Sequence, residues 1–418
     1  MNDLLSSPLH VVHVHVTPNV NAGSEVSLRV SLDGLRDSSV RSSLVCAEQV
    51  AAQSLPGLEA VVTAPEVFAE QPASPLGVRS LARRFESIIT QLRPDVVHVH
   101  LGVRAEIVER IAARWPVVYS AHVPVCPNGA RYLHRDQLVC TAPVSIRCMT
   151  AGFRTHGCGH LADGTPVSLP AFSRGVLNAR RLLRALRACE TVIAPSRWQA
   201  ARLAADGVPS ERIAVVHPPV VPCERTPTIG PPVVAFAGRL LPFKGAEHML
   251  RACADIPTAH RLWIIGDGPQ RSELEELARR LGLSNRALFH GAVPPQEARR
   301  LLGCAHVVVV PSLCAETFNL VGAQAAAGGI PVVAFDVGGM RDWAERYINV
   351  ELVAPRDGAA LGRAIDFALA RSTYDYATDC VLPFSVRRHV AALLEIYSAG
   401  RNGLPLLDPY VPINGLPL

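Results

Sequence analysis

The stretch from Pro311 to Phe335, PSLCAETFNLVGAQAAAGGIPVVAF, constrains the fold more than any other part of the chain. It follows an apolar run, His306 to Val310, that predicts a buried strand. One acidic residue, Glu316, stands where that strand runs out, ahead of an alanine-rich segment that predicts a helix. Gly328 and Gly329 close the helix, and Pro331 leads into a second apolar strand. Strand, helix and strand in this order make a βαβ unit, whose ligands bind beyond the carboxyl ends of the strands. Glu316 is therefore placed at the mouth of such a site, beside helix N–H groups that suit an anion.

Glu316-Thr-Phe318-Asn319-Leu320, with Gln324 eight positions after Glu316 and then Gly-Gly-Ile-Pro-Val-Val, resembles the sugar-nucleotide signature of the retaining GT-B glycosyltransferases of family 4, the glycosyl transferases group 1. That signature carries two glutamates with seven residues between them. The second is replaced here by Gln324.

With 418 residues, 49% of them hydrophobic, the chain has room for two or three domains with sizeable cores. A charged fraction of 18% argues against disorder, and a net charge of +5 is too mild to indicate nucleic acid. No apolar run reaches membrane-spanning length, and no basic flank precedes the first one, so a cytoplasmic protein is expected. One compositional fact is sharper. Lys244 is the only lysine among 41 basic residues, which points to a position that requires a compact ammonium.

Strand and helix patterns alternate from Leu9 onward, predicting an α/β protein with two Rossmann-like parallel sheets. Residues 1–217 form the expected first domain, on the acceptor side by family resemblance, with an irregular Cys-rich loop over 123–170. Six prolines among residues 217–232 predict a stiff linker, assigned to 218–232. Residues 233–384 are the expected nucleotide-sugar domain. The resemblance implies that a helix over 385–400 crosses back to the first domain, ahead of a tail at 401–418, and that the two sheets face a central cleft.

Gly238-Arg239-Leu-Leu-Pro-Phe-Lys244-Gly245 follows the first strand of the second domain and puts a guanidinium and an ammonium on one loop at a helix start. That arrangement suits a leaving diphosphate, because arginine forks onto two phosphate oxygens and lysine acts as a point charge. The segment also matches the family's Gly-Arg…Lys-Gly stretch. Gly266, in a Gly-Asp-Gly-Pro turn, allows close backbone approach. The resemblance extends donor contacts to Val293, Phe318, Asn319 and Leu320, with Gln324 meeting the ribose hydroxyls. Gly23, after the first strand, takes the place of a family turn that often carries two glycines. His122, just past a first-domain strand, matches a family histidine that contacts the donor sugar and its phosphates.

His13 and His15, like His98 and His100, sit two apart on strands and share a face. Four imidazoles are metal-competent, yet core-like strands and the family's metal-free His-x-His favour a packing role. Cys126, Cys140, Cys148 and Cys158 fall within one irregular loop. They fit a structural zinc, two disulfides or four free thiols, and the spacing is not CxxC. Arg180, Arg181, Arg184 and Arg187 recur on one predicted helix. A solvated face is favoured there over peripheral membrane contact.

The resemblance implies transfer of a sugar from a nucleoside-diphosphate donor to an acceptor hydroxyl, with retention and without a catalytic metal or other cofactor. The roles would fall to His122, Arg239, Lys244 and Glu316. The acceptor is left open among glycans, lipid-linked saccharides and small natural products. Two other readings stand beside it: a sugar-nucleotide epimerase or hydrolase on the same scaffold, and a catalytically silent partner subunit, for which Gln324 is the argument.

Overall fold

Two all-parallel sheets carry the chain, each built by the alternation of apolar strands and amphipathic helices. The computed structural model describes residues 8–18, 23–50, 55, 57–68, 75–160, 165–226, 228–371 and 383–403. In chain order the strands are β1 (Leu9–His15), β2 (Val40–Cys46), β3 (Leu58–Thr63), β4 (Val96–Leu101), β5 (Val117–Ser120), β6 (Tyr132–Leu133), β7 (Leu138–Val139), β8 (Thr191–Ala194), β9 (Ile213–Val215), β10 (Val233–Ala237), β11 (Arg261–Ile265), β12 (Ala287–Gly291), β13 (Val307–Val310), β14 (Val332–Phe335) and β15 (Val350–Val353).

The first unit comprises Met1–Val125, Leu177–Pro219 and Phe384–Leu418. Its seven strands run β3-β2-β1-β4-β5-β8-β9, so the order reverses direction between β1 and β4. Register pairs His13 of β1 with His98 of β4, and both point to one face. The helix Val386–Asn402, capped by Ser385, packs on that sheet through Leu393, Ile396 and Tyr397 among Val11, Val96 and Val118.

The second unit comprises Cys126–Val176 and Val220–Pro383. Its six strands run β12-β11-β10-β13-β14-β15, with the reversal between β10 and β13. The central strands are apolar throughout because helices cover both faces.

Two features depart from expectation. The Cys-rich stretch belongs to the second unit, not to the first, because its backbone and side chains pack there: Ala315 N–H donates to the Ala130 carbonyl at 3.2 Å, and Tyr132 lies against Phe243. The proline-rich stretch is also less of a free linker than its composition suggests. From Val220 onward it is part of the second unit, with Cys223 N–H bonded to the Gln324 carbonyl and Thr226 N–H to the Gly303 carbonyl. Gly303 and Gly328 lack a Cβ where one would lie about 2 Å from the Glu224 and Cys223 carbonyl oxygens. The tail lies largely outside the described residues, as do Asn19 to Ala22 of the turn before Gly23.

Candidate functional site

In a doubly wound sheet, strands on either side of the reversal send their following loops apart and open a crevice at their carboxyl ends. In the second unit those strands are β10 and β13, and the predicted residues lie on the two loops that leave them. The loop after β10 carries Gly238, Arg239 and Lys244; the loop after β13 carries Ser312, Glu316 and Asn319.

Lys244 Nζ donates to Glu316 Oε1 at 2.6 Å, and Ser312 Oγ donates to the same oxygen at 2.7 Å. The Lys244 side chain is 23% exposed and that of Glu316 is 10% exposed. Burial alone would push the Glu316 carboxyl up. The Lys244 ammonium, with bonds from Lys244, Ser312 and Asn319, outweighs it and holds the pKa below the usual glutamate value. Burial also opposes the Lys244 charge, but Glu316 outweighs burial and keeps its pKa above the ordinary lysine value. The pair is ionised. Arg239 is exposed and close enough to act against the Lys244 charge. Two like charges held on one loop are expected where an anion is bound.

Local backbone conformation places these groups. Gly245 adopts φ +73°, and a Cβ there would stand 1.9 Å from the Pro311 carbonyl oxygen, so only glycine lets the Lys244 loop touch the Glu316 loop. Gly266 is comparable: at φ +133°, its missing Cβ would fall 2.0 Å from the Gly238 oxygen. Gly266 N–H also bonds the Gly291 carbonyl, so the loops after β10, β11 and β12 meet, with Val293 half-buried two residues beyond. Asn319 takes a left-handed φ of +69° and caps the helix Leu320–Ala327, its side chain accepting from Gly322 N–H at 2.9 Å. Phe318 is buried, and its carbonyl accepts from Trp343 Nε1–H. Gln324 lies buried one turn after Leu320.

In the first unit, His122 follows β5 and is half-buried. It stands 3.4 Å, Nε2 to Nδ1, from His100 of β4. Burial drives its pKa down to about 3, so the ring is neutral. Gly23 opens the helix Gly23–Leu35 and is exposed.

The four loop cysteines gather in one part of the second unit. Burial pushes Cys158 up to about 12, with Cys126, Cys140, Cys148 and Asp136 adding to the rise. Burial likewise raises Cys126 to about 11. All ten described cysteines are free thiols. Among the described residues, the only three side chains spaced as metal ligands are His13, His98 and His100. The Cys-rich segment itself is irregular, with the hairpin β6–β7 and a single π turn at Cys148–Gly152. Arg181 of the arginine-bearing helix faces Glu106 at 3.6 Å. Among the described residues, no helix is long and apolar enough to cross a membrane.

Sequence reasoning missed Ser312, four residues before Glu316, and the participation of Ala130 and Tyr132. The Ser312 signal was present, since a hydroxyl leaving the strand is within reach of a carboxylate one turn later. Nothing in the local pattern indicated Ala130.

Comparison with known proteins supplies the family. The "Glycosyl transferases group 1" model matches residues 231–371, and the "Glycosyl transferase 4-like domain" model matches residues 22–219. D-inositol 3-phosphate glycosyltransferase of Xylanimonas cellulosilytica is 39% identical over 144 residues, 33% of this chain and 34% of that protein. 2-deoxystreptamine glucosyltransferase of Streptomyces kanamyceticus is 32% identical over 135 residues, 32% of this chain and 35% of that protein. The chain thus aligns with about a third of the length of these relatives. Anabaena HepE, solved in complex with UDP and glucose, superposes with a TM-score of 0.66 over 94% of this chain and 100% of that one, at 20% identity. That likeness concerns the fold, which is the two-unit Rossmann-like GT-B fold. With both halves of the chain matched by family models, the protein belongs to the glycosyl transferases group 1, family 4 of the glycosyltransferases.

Proposed function

We propose that the protein transfers a sugar from a nucleoside-diphosphate donor to an acceptor hydroxyl with retention of anomeric configuration. The observation that carries this reading is the ionised Lys244–Glu316 pair, braced by Ser312, at the reversal point of the second sheet. An ammonium has three donors, and Glu316 takes one of them, leaving two for phosphate oxygens. Arg239 adds a fork on the same loop. As the bond from C1 to the diphosphate oxygen breaks, negative charge builds on the diphosphate, and these fixed cations stabilise it. The acceptor oxygen bonds to C1 on the face the diphosphate leaves, and the hydroxyl proton departs with the diphosphate. Glu316, fixed by Lys244 and Ser312, orients a sugar hydroxyl. His122 serves as a neutral hydrogen-bond donor to the donor sugar or its phosphates. Gln324 meets the ribose, with Gly238, Gly266, Val293, Phe318, Asn319 and Leu320 contributing backbone and shape.

The UDP seen with HepE makes uridine the first base to test. The acceptors in the names of the two relatives are cyclitols, which makes these the first acceptors. The test is a thermal-shift screen of nucleoside diphosphates and their sugars, followed by transfer to inositol phosphates and aminocyclitols with NMR of the product's anomeric coupling. Stabilisation by one nucleoside diphosphate, growing with its concentration, is expected from mass action. If none stabilises the protein, the reading is wrong. Donor turnover without any acceptor would favour a hydrolase or epimerase.

A further inference from the structure

The reversal point of the first sheet is lined by imidazoles whose arrangement the proposed reaction does not by itself explain. His13 Nδ1 lies 3.1 Å from His100 Nε2, and His100 Nδ1 lies 3.4 Å from His122 Nε2. The rings of His13 and His100 stack at 5.4 Å, and those of His100 and His122 at 5.7 Å. His13 is 0% exposed, His100 is 4% exposed, and His122 lines a small pocket, of about 20 Å³, together with His98, His100 and His389. At the closed end, His13 Nε2 is buried without a hydrogen-bond partner.

Nitrogens of His13, His98 and His100 also fall within 4.8 Å of one another, a spacing that would suit a metal. The hydrogen bonds argue otherwise. His98 has both ring nitrogens engaged, Nδ1 with the Tyr397 hydroxyl at 2.7 Å and Nε2 with Ser120 Oγ at 2.8 Å. His100 has both engaged with its neighbouring histidines. A metal would have to displace bonds already made.

Burial keeps all three chain members neutral: His13 and His122 are driven down to about 3, and His100 well below its ordinary value. Each ring then carries one proton, and the two bonds can be made in only two ways. If the protons sit on Nε2 of His122 and of His100, His13 must carry its own on Nε2, leaving a buried N–H with no acceptor. If they sit on Nδ1 throughout, His13 donates to His100, His100 donates to His122, and the interior end is only an unused lone pair. Orphaned buried N–H groups are rarer than under-used acceptors. We infer that His13 and His100 are positioning residues that hold His122 as its Nδ1–H tautomer, with its Nε2 accepting from His100 Nδ1–H. A free neutral histidine side chain prefers the proton on Nε2, so these hydrogen bonds impose the less common form. Any effect of the tautomer on transfer rests on the proposed function; the tautomer itself does not.

The experiment is nitrogen-15 NMR of the full chain labelled at histidine, without substrate, with His122 assigned by its loss in His122→Gln. The expected result is an unprotonated Nε2 and a protonated Nδ1 at His122. In His13→Phe, which keeps an aromatic ring but removes the donor, the His122 Nε2 signal should move toward the protonated form. His13→Asn, whose side-chain N–H can replace Nδ1–H, should restore the native pattern. Transfer by His13→Phe should fall about tenfold, less than the hundredfold or more that loss of a whole oriented donor costs. A native His122 already protonated on Nε2 would overturn the inference, as would a tautomer unmoved in His13→Phe. Stoichiometric zinc in the purified protein whose removal shifts these signals would overturn it in favour of a metal. Inactivity of the native protein with every donor, alongside the expected tautomer, would remove the proposed function while leaving the relay intact.

Discussion

Lys244 and Glu316 serve each other before they serve a ligand. Their bond is 2.6 Å long and both side chains are largely covered. Removing one partner of such a pair strands the other charge, at a cost of about 3–5 kcal/mol. Lys244→Ala should therefore lower stability as well as turnover, the latter by about a hundredfold or more if the ammonium stabilises the leaving diphosphate. The two effects separate in the double variant Lys244→Met, Glu316→Gln. Neutralising both partners should recover most of the melting temperature while turnover stays low. Recovery of turnover along with stability would show that the pair is structural only. Gln324 makes the second residue-scale test. If Gln324 meets the ribose as proposed, one hydroxyl must turn to receive from its N–H, because an amide has one acceptor oxygen. Gln324→Glu should lower the donor KM and leave kcat almost unchanged, since the ribose is remote from the bond being broken. A large rise in kcat would mark Gln324 as a disabling substitution and favour the silent-subunit reading.

At the scale of elements, the site depends on two loops forced together and one helix capped at their junction. Gly245→Ala would need a left-handed conformation and would drive a Cβ into the Pro311 carbonyl, which is backbone and cannot swing aside. A loss of at least about 2 kcal/mol, read by urea unfolding, is expected, together with weaker donor binding. Stability within 0.5 kcal/mol of the native value, roughly the effect of an ordinary surface change, would mean that the loops separate easily. Asn319→Gly tests the cap more gently. Glycine tolerates the +69° φ and, as a cap, costs only a few tenths of a kcal/mol relative to asparagine, but it removes the side chain that supports Glu316. Reduced kcat at near-native stability is the expected outcome. Several elements are legible in the sequence: Thr191–Ala194 and Val233–Ala237 are short apolar runs, and Ser196 is a cap residue at the start of its helix. The strands Leu58–Thr63 and Ile213–Val215 are not. They are the two edges of the first sheet, and Leu58–Thr63 is only partly buried, so it carries a weaker apolar signal than a central strand.

At the scale of the whole molecule, buried histidines make stability depend on pH. Burial lowers His13 and His122 to about 3 and His15 and His389 to about 4, with His98 and His100 shifted in the same direction. Between the ordinary value of 6.5 and these folded values, the unfolded chain binds protons that the folded chain does not. Stability is therefore complete above 6.5 and falls as the pH drops through that window. The lowered Glu316 pKa acts in the same direction at more acidic pH. Going from pH 6.5 to 5 costs about 2 kcal/mol for each such histidine, and two or three of them rival a typical domain stability. Calorimetry should show the melting temperature falling by at least about 10 °C between pH 7 and 5. A melting temperature that does not change over that range would mean that these rings are hydrated or already charged in the fold.

The sequence by itself determined the two parallel sheets, because a buried parallel strand reads as an unbroken apolar run and its helix as a separate period. It also put Arg239, Lys244 and Glu316 on the loops that leave β10 and β13, since they sit in motifs where glycine, proline and charge have few alternative uses. Tertiary structure decided what long-range packing decides. It brought Ala130 to Ala315 across 185 positions of chain, and thereby put the Cys-rich segment in the second unit. It also turned two of the four histidines read as core filling, His13 and His100, into hydrogen-bonded neighbours. Register between β1 and β4 places His13 beside His98, and no local pattern encodes the partner of a strand.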